Sequence, residues 1–302
     1  AAASRVRRFV AGRAEELGHL AWYATHIEAH RREQLEHVGS IAYLDYAGAA
    51  LYSRAQLQAA NATLLEGLLA NPHTSPATEE LVARARCTAL EMLGASAETH
   101  TLVFTAGTSH ALQLLGESFA WAPGSIFLYA GESHTSVLGL RQFARRAGAA
   151  GGSFPLEELP RLSGDLAAAS PLAGGTAAWP AEAAGPNLLA FPGESNFSGA
   201  RGDLGCVAAL RGGPLRWRVL LDAAKLACSP GLLDLSACPA DFTVVSFYKI
   251  FGYPTGLGAL VVRHDAAALL APRGTQGGGP AGPFGPAYFA GGCVSAISAS
   301  SD

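Results

Sequence analysis

The sequence predicts an α/β fold with a mostly parallel (mixed) sheet flanked by helices, and three observations predict it. Short apolar runs of about five residues recur along the chain. Stretches with helical spacing of Leu, Ala and Val separate them. The 302 residues are 49% hydrophobic and only 15% charged, enough to bury a sizeable core. Strands that alternate with helices join through right-handed crossovers, which lay the strands parallel and cover both faces of the sheet.

Residues 8–37 are charged and amphipathic and predict a helix closed by Gly39, so that residues 1–40 form an N-terminal helical segment. The large domain, 41–302, opens with IAYLDYAGAALYS (41–53), expected as a short strand and a turn. Helical spacing over 54–70 and 77–93 is broken by NPHTSP, whose prolines end one helix and start the next. TLVFT (101–105) is a strand and SHALQLLGESFA (109–120) a helix; SIFLYA (125–130) is a strand and TSVLGLRQFARRAG (135–148) a helix. NLLAF (187–191), WRVLLD (217–222), FTVVS (242–246) and GALVV (258–262) are further strands. Residues 163–186 and 271–287 are Ala-, Gly- and Pro-rich and read as low-complexity insertions.

Composition excludes several classes. A formal net charge of −3 offers no basic excess to neutralise phosphates, which argues against a nucleic-acid binder. No apolar run is long enough to span a bilayer. Five scattered cysteines without CxxC pairing fit a reducing compartment better than a disulfide framework or a zinc site. The Arg-rich start AAASRVRRFVAGRA faintly resembles a transit peptide, but the basic start of a helix is the simpler reading, and a cytoplasmic protein is expected. The chain starts without Met and stops at SAISASSD soon after a new apolar run, so it reads as an incomplete N-terminal part of a longer protein.

Ligands in open α/β sheets sit beyond the carboxyl ends of the strands, so the residues that follow each strand carry the functional reading. After TLVFT comes AGTSHA, a glycine, the hydroxyls of Thr108 and Ser109, and a helix N-terminus, which suit an anion. GESHTS presents His134, PGESNFSG presents Asn196, WRVLLD ends in Asp222, and FTVVS ends in Ser246 with Lys249 three residues on. Singly, each has a plainer role as a cap, a turn residue or a snorkelling lysine. Together they match the needs of pyridoxal 5′-phosphate (PLP): a lysine for the Schiff base, an acid for the pyridine nitrogen, an imidazole to stack on the ring and an amide for the phenolic oxygen.

Other motifs fall away. HIEAH (26–30) has the histidine spacing of a zinc helix but not the HExxH order, and reads as a solvated helix face. GESHT and GESNF both miss GxSxG, and RGD at 201–203 is a chance match.

At this point the residues resemble a known family. SFYKIFGYPTGLGALVVR is similar to the cofactor-lysine segment of class V, fold-type I PLP enzymes of the cysteine desulfurase group, and YLDYAGAALYS, NPH, FTAGTSHALQL, ESHTSVLG, FPGESNFSGAR and LLDAAKLA recur in the same order. More narrowly, the series from LDAAK through LDLS to PADFTVVSFYKIFGYPTGLGAL resembles the N-terminal domain of the molybdenum cofactor sulfurases, over about residues 35–295. The resemblance implies a fold-type I large domain with Lys249 as the catalytic, cofactor-linked lysine, Asp222 on the pyridine nitrogen, His134 on the ring, Asn196 at the phenolic oxygen, and Thr108, Ser109 and Ser246 on the phosphate. It implies L-cysteine as sulfur donor, a homodimer, and delivery of sulfur to the molybdenum cofactor of xanthine dehydrogenase and aldehyde oxidase. It also implies a small C-terminal domain, carrying the persulfide cysteine and an Arg for the substrate, that this sequence does not contain. Cys228 is the one thiol near the Asp222 segment, and an inert apolar thiol is the favoured reading of it.

Four positions depart from the family. Tyr248 stands where many bacterial desulfurases have His, and Lys225 where many have a Gln against the ring oxygen. YFAGGCV (288–294) carries Ala290 and Cys293 in a segment that is otherwise Tyr-Phe-Gly-Gly-Gly-Thr-Val. The alternatives to a sulfur transferase are a non-catalytic PLP-fold product that acts by pairing with a full-length partner, and another class V desulfurase, lyase or aminotransferase.

Overall fold

A computed structural model describes residues 18–164, 185–213, 215–229 and 231–270. The Arg-rich start, most of the 163–186 insertion, the 271–287 insertion and YFAGGCV lie outside the described residues. The chain divides into two compact units, one running through Leu69 and including Phe251–Tyr253, the other holding the remainder.

In the first unit, helix α1 (Gly18–Gln34) is followed by a single 3-10 turn, Glu36–Val38, and stops at Gly39, whose φ of 56° suits glycine. Helix α2 (Arg54–Glu66) starts where the Ser53 hydroxyl accepts the Gln56 N–H at 3.1 Å. The short strand expected in 41–53 does not form. Arg31 donates to the carbonyls of Gly39 and Ile41, at 3.3 and 3.2 Å, and Asp45 accepts the Gly48 and Ala49 N–H groups in a turn. With its polar groups satisfied by a side chain and a turn, this backbone has no ladder to join. His26 and His30 of HIEAH are exposed on α1, and the described residues hold no cluster of metal-ligating side chains.

The second unit is a seven-stranded sheet. Helix α3 (Pro76–Met92), with Pro at its start and Ser75 as its cap, leads into β1 (His100–Thr105) and α4 (Thr108–Ser118). Then come β2 (Ile126–Ala130), α5 (Thr135–Gly139), α6 (Arg141–Arg146), β3 (Ala150–Phe154), α7 (Leu159–Gly164) and β4 (Leu188–Pro192). Helix α8 (Val207–Gly212), β5 (Arg218–Asp222), β6 (Phe242–Ser246), α9 (Phe247–Phe251) and β7 (Gly258–Arg263) complete it. The spatial order is β1-β7-β6-β5-β4-β2-β3. β3, β2, β4, β5 and β6 run parallel, and β7 lies antiparallel between β6 and β1.

The α/β class and the mixed, mainly parallel sheet match the reading of the sequence. Two details differ. The helix expected over 135–148 divides at Leu140 into α5 and α6. β3, AGGSF, forms at the sheet edge although its glycines give no apolar alternation.

Strands β2, β4 and β6 are buried along their whole length, and β5 from Val219 onward, as double coverage by helices requires. On one face Leu112, Leu115, Phe119 and Trp121 pack with Phe127, Leu220, Phe242 and Leu260. Each such large apolar side chain contributes about 1.5–3 kcal/mol on burial. This rigid layer fixes where the strands end.

Candidate active site

The register puts five strand ends on one edge of the sheet. Ser246 pairs with Gly258, which also pairs with Thr105, and Pro192 pairs with Asp222. Because β7 is antiparallel to both neighbours, β1 and β6 end on the same edge with the start of β7 between them, and the loops that follow β1, β2, β4, β5 and β6 meet. They enclose a cavity of about 340 Å³, within the range of small-molecule sites. Thr108, Ser109, His134, Asn196, Asp222, Ser246 and Lys249, all seven residues singled out in the sequence, line it.

One end of the cavity is built for an anion. Gly107, at φ 97°, turns the chain from β1 into α4 and provides no side-chain cap, so the helix N-terminus, with Thr108 and Ser109, lines the cavity. Thr108 Oγ1 and Ser246 Oγ lie 2.6 Å apart, two hydroxyls poised to donate to the same oxygen cluster. Close backbone approach allows this. A Cβ on Gly258 would sit 2.7 Å from the Val245 carbonyl oxygen and 2.8 Å from Gly107, so only glycine lets β1, β6 and β7 close here.

Asp222, which closes β5, is 6% exposed. Its Oδ1 accepts the Ala224 N–H at 3.0 Å, and no ion pair reaches its carboxylate among the described residues. Burial pushes the Asp222 carboxyl up from its ordinary value, and the Ala224 amide and the charges of His134 and Lys249 pull it back only in part. An acid with a raised folded-state pKa binds its proton more readily folded than unfolded. Its contribution therefore makes the cofactor-free chain more stable as pH falls from the raised value toward the ordinary aspartate range. The wild-type melting temperature, relative to that of Asp222→Asn, is expected to rise on acidification through that window; parallel curves would remove the burial argument.

His134 caps α5. Its Nδ1 accepts the Ser136 N–H at 3.2 Å and lies 2.7 Å from Ser136 Oγ, which fixes the ring and leaves the proton on Nε2. Lys249 is the middle residue of α9, half-buried, with no carboxylate at ion-pair distance among the described residues. A polar wall completes the cavity: Glu194 and Asn196 from the loop after β4, and Lys225 one turn past Asp222. Lys225 Nζ is 3.2 Å from Glu194 Oε1, and Arg201 Nε is 3.1 Å from Glu194 Oε2. Burial pushes the Glu194 carboxyl up, but the two cations together hold it below its usual value.

Tyr248, noted in the sequence only as a departure from the family, also lines the cavity, as do Glu194, Thr255 and Gly256, which were not singled out. Glu194 sits in the same PGESNFSG turn as Asn196, but its pairing with Lys225 joins loops 31 positions apart, which no local pattern reveals. Cys228 donates its Sγ–H to the Ala224 carbonyl at 3.3 Å, and burial pushes its thiol up, the setting of an inert thiol. Cys206 and Cys238 are buried, their thiols pushed up to about 12 and about 11.

The chain resembles known proteins in the way this geometry suggests. It is 40% identical over 290 residues to a molybdenum cofactor sulfurase of Arabidopsis thaliana, a match that covers 87% of this chain and 34% of that protein. It spans about a third of the length of the curated relatives it matches. The structure of the cysteine desulfurase CsdA from Escherichia coli superposes with a TM-score of 0.62 at 22% identity, covering 86% of this chain and 64% of that one. A C-DES variant with glycine covalently linked to its PLP cofactor superposes with a TM-score of 0.63 at 20% identity, covering 86% and 66%. At those identities the superpositions speak for the fold. The model of the class-V aminotransferases matches residues 42–281, from the start of the predicted large domain to beyond the last strand, and the chain therefore belongs to the class-V aminotransferase family.

Proposed function

We propose that this chain is the PLP-binding, N-terminal part of a sulfur transferase that takes sulfur from L-cysteine and serves the molybdenum cofactor. One observation carries the reading: a buried carboxylate, a half-buried lysine and a pair of hydroxyls at a helix N-terminus line one cavity, at the ends of different strands. The residues fit the group. Asp222, short of hydrogen bonds, would hold the pyridine nitrogen protonated; Thr108, Ser109 and Ser246 would hold the phosphate; Lys249 Nζ would bond the aldehyde carbon; and His134 would lie against the ring. Bound there, PLP supplies an electron sink for bonds at the α-carbon of an amino acid.

Resemblance to molybdenum cofactor sulfurases supports the narrower reading, with molybdoenzymes of the xanthine dehydrogenase and aldehyde oxidase type as the final beneficiaries. Burial pushes the thiols of Cys206, Cys228 and Cys238 up, away from an activated setting. The proposal therefore gives this sequence the cofactor and L-cysteine and places the sulfur-accepting thiol elsewhere. A homodimer is part of the proposal: Leu64 and Leu65 of α2, and Leu68 just past its end, are 59%, 87% and 88% exposed, an apolar patch that a second copy would cover. A cytoplasmic location is proposed with it; no described helix is long and apolar enough to cross a membrane.

The purified chain is expected to take up PLP and show a visible absorption band that borohydride bleaches, leaving a pyridoxyl mass on the peptide containing Lys249. No adduct, or an adduct elsewhere, sinks the assignment. L-Cysteine is expected to perturb the band without releasing alanine catalytically, and steady alanine release would show that the chain needs no further thiol.

A further inference from the structure

A second cavity, of about 330 Å³, shares no residue with the first. It lies between α6 and the edge of the sheet, where Phe127 and Tyr129 of β2 and the first residues of β3 meet Arg141, Ala144 and Arg145. β3 makes the room. Gly151 pairs with Phe127 in the strand register, and a Cβ on it would sit 2.8 Å from the Phe127 carbonyl oxygen, so this pairing demands glycine. With Gly152 next to it, the edge strand brings bare backbone to the cavity where a core strand would bring side chains.

Its charge is one-sided. Arg141 and Arg145 stand one helical turn apart, and both line the cavity. The Arg141 guanidinium is held in place: its Nε–H donates to the Leu138 carbonyl at 2.8 Å, its Nη1 donates to the Tyr129 hydroxyl at 3.3 Å, and its central carbon lies 5.6 Å from the centre of the Tyr129 ring. No carboxylate is at ion-pair distance from either arginine among the described residues, and no acid lines the cavity. Two like charges a turn apart on a helix repel. The dipole at the end of α6 accounts for Arg145 and Arg146, in its last turn, but not for Arg141 at its start. An anion between the two guanidinium groups accounts for both.

We propose that this cavity is a second ligand site, for a small aromatic anion: a single flat ring that bears a phosphate or a carboxylate. Arg141 and Arg145 hold the anionic head by charge-assisted N–H donors, which a planar fork offers in pairs. The ring lies against the aromatic and alanine side chains and the bare glycine backbone. The volume is at the lower end of the range for small-molecule sites, which suits one ring rather than a dinucleotide. A bare inorganic anion would use the arginines and leave the apolar lining wet. This site owes nothing to the PLP reading, and either can fail without the other.

Calorimetric titration of the chain with phenyl phosphate, benzoate, inorganic phosphate and phenol tests it. Phenyl phosphate or benzoate is expected to fill one site with a Kd of about 1 mM or tighter, and the tighter of the two names the head group. Inorganic phosphate and phenol, each lacking half of the ligand, are expected to bind at least about tenfold more weakly. Arg145→Ala is expected to weaken the aromatic anion by about tenfold or more. Its melting temperature is expected to stay at the wild-type value, because no described residue accepts a hydrogen bond from the Arg145 side chain. Arg146→Ala, next along α6 and outside the cavity, is expected to bind as wild type does. The first cavity has an anion cradle of its own, so Thr108→Ala is titrated beside these and is expected to keep the affinity. Binding lost in Thr108→Ala but kept in Arg145→Ala places the probe in the first cavity and overturns the proposal. Equal affinity for inorganic phosphate and phenyl phosphate, an equal loss in Arg146→Ala, or no binding at about 10 mM overturns it as well.

Discussion

Replacing Asp241 by alanine will lower the unfolding free energy by about 3–5 kcal/mol, the cost of breaking a buried ion pair from one side. Asp241 is fully buried just before β6. Its Oδ2 accepts the Val219 N–H at 2.8 Å and the Arg211 Nε–H at 3.1 Å, and its Oδ1 accepts from Arg218 at 3.3 Å. Its own backbone N–H and carbonyl reach Val219 and Arg263. One side chain therefore joins α8 and β5 to the start of β6, and its loss leaves Arg211 and a buried N–H without that acceptor. Arg211 keeps Asp265, at 2.7 Å, which limits the damage to the inner half of the network. Asp241→Asn keeps an acceptor for Val219 and is expected to cost less, about 1–3 kcal/mol. Urea unfolding reads both as a lower midpoint with an unchanged slope. A loss of less than about 1 kcal/mol for alanine would show that β5 and β6 hold together without this hub.

The second large effect is chemical. Lys249→Ala is expected to abolish the visible band and the borohydride-fixed mass completely, while the cofactor-free chain melts as wild type does. Lys249 is half-buried and has no ion pair among the described residues, so its removal breaks little. At a PLP concentration a hundred times the wild-type Kd, binding stabilises the chain by about 2.7 kcal/mol. The variant is expected to keep less than half of that increment, through Asp222 and the Thr108–Ser246 hydroxyls alone. A band that survives in Lys249→Ala would hand the covalent role to Lys225.

Much of this fold could be read in the sequence, because a strand buried on both faces leaves a continuous apolar run. LLAF, RVLLD and FTVVS could hardly be anything else. AGGSF could not be read, since an edge strand needs only one neighbour and its side chains add nothing to the ladder. IAYLDYAG misled in the other direction: its apolar character is real, but Arg31 and the Asp45 turn take the hydrogen bonds a strand would use. Leu140 carries no breaker residue, so the division between α5 and α6 has no local signal.

The cavity was legible through one rule, that chemistry collects where parallel strands end. The rule finds Asp222 and Ser246 at once, because each closes an apolar strand. It does not find partners. That Thr108 meets Ser246, or Glu194 meets Lys225, depends on which strands are neighbours, and strand order is a property of the whole sheet rather than of any segment.

The place of β7 has a consequence for the order in which the protein can be made. β1 sits at the margin of the sheet with β7 as its one neighbour, and β7 separates it from β6. A ribosome emits residues 100–105 first and 258–263 some 160 residues later, and in between β1 has no strand to pair with. The anion cradle, which needs Thr108 from one side of β7 and Ser246 from the other, is assembled only when that last strand slides home. Long-range pairing of this kind is slow and leaves an exposed edge while it waits. Cofactor capture is therefore a late event in the life of the nascent chain, and a holo molecule is one that has already finished folding its sheet.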